Sequence, residues 1–185
     1  MQTNRVVFRK GERVSLVILE ECDVEVVTHG INDEAVARFL NVTAPITKDD
    51  EVEWIKKVYS DKEHNVVFGV WHNKDECLIG TMGIHNISWV DRIASTGAAI
   101  WDQKYRGQGL GCEAKELLLA YAFNTLNLRK VCSQVFAFNV ASINYSKKCG
   151  YQVEATLKDH IYRDGKYWDQ ICMAIFQDSW KNKEK

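Results

Sequence analysis

Arg106-Gly107-Gln108-Gly109-Leu110-Gly111 joins three alternating glycines to a guanidinium, after an apolar run and before a helical pattern. Glycine lets a backbone approach a ligand closely and adopt φ > 0. The first amides of a helix lack internal partners and, with the helix dipole, form an anion site. A diphosphate fits such a site, and Arg106 would add charge and fork-like donors. The alternative is a glycine-rich turn that merely lets a helix pack close to a strand. The Gly-Lys-Ser/Thr ending of a nucleotide P-loop is missing. A dinucleotide fingerprint fits poorly, because the preceding strand has an antiparallel partner and does not open a βαβ unit.

The elements around this loop are legible from periodicity. Val6–Arg9 and Arg13–Leu19 read as a hairpin turned by Lys10-Gly11-Glu12. Glu20 to Leu40 reads as a helix interrupted at Gly30 and Asn32. Thr47, with Asp50 three residues on, caps a helix whose apolar stripe is Val52, Ile55 and Val58–Tyr59. Three strands follow at Asn65–Trp71, Cys77–Ile87 and Ile93–Trp101. A helix from Gly109 to about Leu126 buries Leu110, Ala114, Leu117, Leu118 and Tyr121. Lys130–Phe136 is a strand, Asn139 caps a helix that ends before Gly150, and Asp164-Gly165 turns a last hairpin, Tyr151–Tyr162 with Tyr167–Phe176. The order predicts an α/β (α+β) fold, its mixed sheet mostly antiparallel with one strand–helix–strand crossover.

With 185 residues, one proline and no low-complexity tract, the chain reads as one domain over residues 1–185. The net charge of −1 argues against a nucleic-acid partner held by bulk electrostatics. The stretch MQTNRVVFRKGERVSL has no apolar run for a signal peptide or a membrane span, so a cytoplasmic protein with no membrane partner is expected. Cys22, Cys77, Cys112, Cys132, Cys149 and Cys172 form no CxxC pair and no zinc spacing, which predicts reduced, buried thiols and no metal.

The spacing Arg106-x-x-Gly109-x-Gly111 resembles the acetyl-CoA signature of the GNAT superfamily of N-acetyltransferases, and the resemblance extends over nearly the whole chain. Ala141-Ser142-Ile143-Asn144-Tyr145-Ser146-Lys147-Lys148-Cys149-Gly150-Tyr151 is similar to that superfamily's closing helix. Asp164-Gly165-Lys166-Tyr167-Trp168-Asp169, ahead of Met173, resembles the ribosomal-protein alanine acetyltransferase branch, whose look spermidine and amino-sugar acetyltransferases share. The resemblance implies a GNAT fold with a central sheet splayed between Ile93–Trp101 and Lys130–Phe136. It implies acetyl-CoA as co-substrate, its pantetheine paired with backbone near Ile100 and Trp101. Gly107, Gln108, Gly109, Leu110 and Gly111 would meet the diphosphate. Asn139, Ser142 and Asn144 would border the cofactor and Lys147 or Lys148 would reach its outer phosphate; a helix cap is the alternative for Asn139 and a solvated helix face for each lysine.

Acetyl transfer needs a neutral amine, a polarised thioester and a proton for the departing thiolate. Tyr145 stands where the resemblance places the proton donor; a structural aromatic is the alternative. Some relatives carry a glutamate on the strand before the glycine loop, where this chain has Ser95, Thr96 and Gly97. His85 on the neighbouring strand is the candidate base, beside a structural role for that histidine or relay through water to Glu20, Glu21 or Glu34. The expected partners are acetyl-CoA and an amine acceptor, a protein N-terminus, amino sugar or polyamine, with room for a homodimer. A non-catalytic acetyl-CoA-binding module is the competing class.

Overall fold

Asp164 and Gly165 both adopt positive φ, 53° and 78°, and so turn strand β7 (Gln152–Arg163) directly into β8 (Lys166–Phe176). Thr47 and Asp50 close the predicted capping box at the start of helix α3 (Lys48–Ser60). These local signals belong to a computed structural model that describes residues 5–181; the first four residues of the N-terminal stretch lie outside it.

Eight strands form one sheet in the order β1-β2-β3-β4-β5-β6-β8-β7. The remaining strands are β1 (Val7–Lys10), β2 (Val14–Val17), β3 (Val66–His72), β4 (Cys77–Ser88), β5 (Ile93–Ile100) and β6 (Lys130–Phe136). All neighbours pair antiparallel except β5 with β6, which helix α4 (Leu110–Ala120) connects. One face of the sheet packs on α4 through Leu16, Phe68, Met82, Ile84, Leu110 and Leu118. Burying each such side chain stabilises the fold by about 1.5–3 kcal/mol. The other face packs on α1 (Val24–Asn32) and α3 through Val17, Val27, Ile55, Val58, Val67 and Trp101. Helix α5 (Val140–Lys148) follows β6 and touches α4.

Three expectations change. The interruption of the second segment falls at Asp33, the N-cap of the short helix α2 (Glu34–Ala37), and Gly30 lies inside α1. The helix after the glycine loop widens into a π-helical turn at Tyr121–Thr125, and Leu117 and Tyr121 are half-buried because they sit at the margin of its buried face. Only Cys149 among the cysteines is buried; Cys22 is exposed and the others are intermediate.

Gly30 is in α1 because of what it faces. The position a Cβ would take there lies 2.5 Å from Trp101 Cγ. Replacing a helix-interior glycine with alanine ordinarily stabilises by about 0.5–1 kcal/mol. Overpacking against a fixed indole costs about 1–3 kcal/mol, so the second effect wins here. Gly30→Ala is therefore expected to lower the urea midpoint, and to do so much less in a Trp101→Leu background. A raised midpoint in the single variant would show that α1 does not press on Trp101.

Candidate active site

Strands β5 and β6 pair over only three positions, Ile93 with Lys130, Ala94 with Val131 and Ser95 with Cys132. Beyond Ser95 they diverge. Tyr151, at the end of α5, stands in the fork: its hydroxyl meets Thr96 Oγ1 at 3.1 Å, and Thr96 Oγ1 donates to Cys132 O at 3.3 Å. Gly97 and Ala98, just past the fork, are exposed. Trp101 N donates to Ile79 O, which sets the alternation of hydrogen bonds between β4 and β5. By that alternation the N–H and C=O of Ala98 and the N–H of Ile100 point away from β4, into the opening.

At Ile100 and Trp101 several of the backbone groups are already bonded. Trp101 is bonded at both backbone groups, since its carbonyl accepts from Arg106 Nη2 at 2.8 Å. Ile100 O accepts from Arg106 Nε at 2.8 Å. Backbone available to an extended ligand is centred on Ala98, with Ile100 contributing its N–H alone. Arg106 is itself partly engaged by these bonds. Two of its donors tie the glycine loop to the end of β5, which leaves its charge and Nη1 for an anion.

The loop has the backbone its glycines permit: φ is 74° at Gly107 and 82° at Gly109, the N-cap of α4. The N–H groups of Leu110 and Gly111 open the helix without intrahelical acceptors. Gln108 reaches back to Lys104 O at 2.5 Å, and its own carbonyl accepts from Arg13 Nη1 at 2.9 Å. Glu113 in the first turn accepts from Arg13 N, Val14 N and Arg13 Nε at 2.7, 3.2 and 2.8 Å. The β1–β2 turn thus anchors the loop and pairs the Glu113 carboxylate with Arg13. Sequence reasoning did not single out Arg13, since nothing in a local window links residues 100 positions apart.

Tyr145 lies against the loop. The position of a Cβ on Gly111 is 3.5 Å from Tyr145 Cε2 and 4.0 Å from Ile100 Cγ1, so three candidate residues converge. The Tyr145 hydroxyl is buried and has no hydrogen-bond partner. Burial, first, and the neighbouring Cys149 and Tyr151 hold its pKa well above the ordinary value for a phenol. Beside it Lys115 is 3% exposed, with Nζ 5.8 Å from the Tyr145 ring centroid and 5.7 Å from that of Tyr151. Burial pushes this lysine down to about 8, against an opposing effect of Cys149. Read in sequence it is one more lysine on an amphipathic helix. On α5, Asn139 Oδ1 accepts from Ser142 N at 3.1 Å, which satisfies the cap reading, while Asn144 and Lys147 are exposed.

His85 sits on the α1–α3 face of β4, opposite the face that carries Met82 and Ile84. Its Nε2 lies 2.8 Å from the Cβ position of Gly83 and 3.5 Å from that of Gly97. Two missing side chains make room for the ring. Burial, and then the charge of Lys115, lower the His85 pKa, so the imidazole is neutral at pH 7 and its free nitrogen can accept a proton. Glu20, Glu21 and Glu34 do not touch His85 or Tyr145 among the described hydrogen bonds; Glu20 instead closes a capping box with Asp23. A cavity of about 410 Å³ lies between α1 and the end of β5, lined by residues that include His29, Asp33, Trp101, Asp102 and Arg106. A second, of about 570 Å³, shares Asp33 and adds Glu34, Arg38 and Asp164. Among the described residues no helix is long and apolar enough to cross a membrane.

These features fit acetyl-CoA on their own chemistry: an unpaired strand edge, a glycine-rich helix N-terminus and a buried, partnerless hydroxyl on a tyrosine packed against that terminus. The comparisons agree. A family model described as an acetyltransferase (GNAT) domain matches residues 13–152. An uncharacterized N-acetyltransferase of Bacillus subtilis, YoaA, is 24% identical over 178 residues and 95% of either chain. The spermidine N(1)-acetyltransferase of Vibrio cholerae is 24% identical over 177 residues, 95% of this chain and 99% of its own. A crystal structure of the Vibrio cholerae spermidine N-acetyltransferase, in complex with CoA and spermine, shares the fold with a TM-score of 0.85 at 23% identity, covering 93% of this chain and 100% of that one. The chain belongs to the GNAT acetyltransferase family and is an acetyl-CoA-dependent N-acetyltransferase.

Proposed function

We propose that the protein moves the acetyl group of acetyl-CoA directly onto a primary amine, with His85 as base and Tyr145 as acid. The observation that carries this reading is the buried Tyr145 hydroxyl, which has no partner and belongs to a ring packed against Gly111. A buried hydroxyl without a hydrogen bond is costly, and a ligand atom that accepts from it removes the cost. Backbone N–H groups of Gly109, Leu110 and Gly111 hold the diphosphate in this reading, helped by Gly107, Gln108 and the remaining donor of Arg106. The Ala98 backbone and the Ile100 N–H take the pantetheine, while Asn139, Ser142, Asn144 and Lys147 border the outer part of the cofactor. Bound acetyl-CoA supplies an activated thioester. His85 Nε2 takes the proton that the amine loses on attack, and Tyr145 gives one to the thiolate.

The acceptor is a small amine or a protein N-terminus that enters between α1, α2 and the β7–β8 turn. A polyamine is a second reading, favoured by the adjoining cavities, where Asp33, Glu34, Asp102 and Asp164 outnumber Arg38 and Arg106. Arg38 and Asp164 pair at 3.0 Å, which leaves three acidic groups to attract an ammonium. The continuous sheet supports one domain for the chain, and six thiols without a disulfide support a reducing compartment such as the cytoplasm.

Gly111→Val is the clean test of the cofactor site, because Gly111, unlike Gly107 and Gly109, does not need positive φ. Calorimetry with acetyl-CoA is expected to show at least a tenfold loss of affinity, about 1.4 kcal/mol. Undiminished binding by the folded variant would remove the loop from the site. Tyr145→Phe keeps the ring and deletes the donor. Its kcat should fall by about ten- to a thousandfold, as is usual for a general acid; an unchanged kcat across the pH range would make Tyr145 structural. Direct transfer also predicts no acetyl-enzyme. Burial and the neighbouring Cys112 push the Cys149 thiol up to about 12, far from a thiolate at neutral pH. Mass spectrometry after incubation with acetyl-CoA alone should find no stoichiometric acetyl-cysteine. One that discharged on adding an amine would establish a two-step route instead.

A further inference from the structure

We infer that Asn65 is a positioning residue for His85, and that Asp61 positions Asn65 in turn, so that His85 keeps a bare Nε2 over Gly83 and Gly97. The inference rests on the proposed role of His85 as base. It starts from the turn between α3 and β3, which no part of the proposed chemistry uses. Asp61 caps α3 through its N–H to Lys57 O at 3.0 Å. Its carbonyl accepts from Asn65 N at 3.0 Å, and His64 O accepts from Ile87 N at 3.1 Å, so the turn is fastened to β4 two residues from His85.

The side chains form a line. Asn65 Nδ2 donates to Asp61 Oδ2 at 2.8 Å, and Asn65 Oδ1 faces His85 Nδ1 at 3.3 Å. The two ends of an asparagine amide have the same shape and opposite chemistry, so the partners decide its orientation. Asp61 decides it here. An ionised carboxylate only accepts, hence the NH₂ end must point at Asp61 and the oxygen at His85. The bond from His64, first, holds the Asp61 carboxyl below the usual carboxylate range against the opposing effect of burial, and the bond from Asn65 adds to the lowering. It is therefore an acceptor at neutral pH.

An oxygen facing Nδ1 asks that nitrogen for a proton. A neutral imidazole carries only one N–H, so Nε2 is left with its lone pair. Nε2 is also the nitrogen beside the two glycines, and Gly97 is exposed on the far side of the fork. From β5, Ser95 Oγ donates to His85 O at 3.3 Å and does not touch the ring. From α4, Lys115 acts on the ring through its charge. Among the described contacts no carboxylate touches the imidazole. The base thus gets its orientation from a neutral amide, which fixes the tautomer without raising proton affinity as a carboxylate in its place would.

The test is nitrogen-15 NMR of His85 in the full-length protein at pH 8, where the ring is neutral, together with kinetics. The wild type is expected to show the Nδ1–H tautomer. Asn65→Ala should shift His85 toward the Nε2–H form and lower kcat by about 10- to 100-fold, with acetyl-CoA affinity by calorimetry unchanged. Asn65→Asp puts a carboxylate against Nδ1 in the same volume. It should retain the tautomer and move the acid limb of the kcat/KM profile to higher pH. Asp61→Ala frees the amide to flip and should produce a mixture of tautomers. A wild-type Nε2–H tautomer, or a tautomer indifferent to Asn65→Ala, overturns the inference. The NMR readout needs no turnover, so absence of acetyl transfer, which would sink the proposed function, leaves it legible.

Discussion

Two parallel strands that stop pairing after three residues set the conditions for everything else in this molecule. Past Ser95 and Cys132 the sheet loses the hydrogen bonds that a buried backbone ordinarily keeps. The protein meets this loss in two ways. Tyr151 and Thr96 close the fork with their hydroxyls, and the edge beyond stays open to a ligand that can pair as a strand would. The extended amide-bearing arm of acetyl-CoA is such a ligand. An unsatisfied strand edge is elsewhere a liability; in this fold it is where the co-substrate would lie.

The remaining elements hold the fork's outer end at a defined place. Arg106 draws the carbonyls of Ile100 and Trp101 toward the glycine loop, and Arg13 and Glu113 fasten the first turn of α4 to the β1–β2 turn. Trp101 is pressed from the other side by α1, which a glycine admits. The helix N-terminus therefore has its orientation set by contacts from three separate stretches of chain. A guanidinium spent on two carbonyls contributes less directly to an anion than a free one, but it fixes the amides that do most of the binding in the proposed mode.

Around the inner end, burial separates the proton affinities of the titratable groups. The Tyr145 phenol is held protonated and the His85 imidazole is held neutral, while Lys115 is lowered toward neutrality between two tyrosine rings. Burial thus leaves one group able to give a proton and another able to accept one at the same pH, which is the division of labour that the proposed acid–base chemistry requires. No carboxylate on β5 is needed for that division, because the glycines at 83 and 97 let a histidine from β4 occupy the space.

Much of this was legible in the sequence. Thr47 with Asp50, Asp164 with Gly165 and the alternating glycines at 107, 109 and 111 act within a few residues, so their types and spacing specify local backbone regardless of context. They sufficed for the element order and the crossover. The resemblance added Tyr145. Sequence reasoning placed helix interruptions at Gly30 and Asn32, the second of which ends α1; it counted Gly30 as a breaker and missed that a glycine is required where a helix meets an indole. It assigned Arg106 to the ligand because a guanidinium near glycines suggests an anion, and the backbone carbonyls that compete for it become visible only when β5 has ended and turned. The pairs Arg13–Glu113, Asn65–His85 and Lys115 with its two tyrosines join residues that the chain keeps far apart. What such side chains face is settled by packing, because burial and the partners it leaves within reach determine which donors, acceptors and charges remain for chemistry.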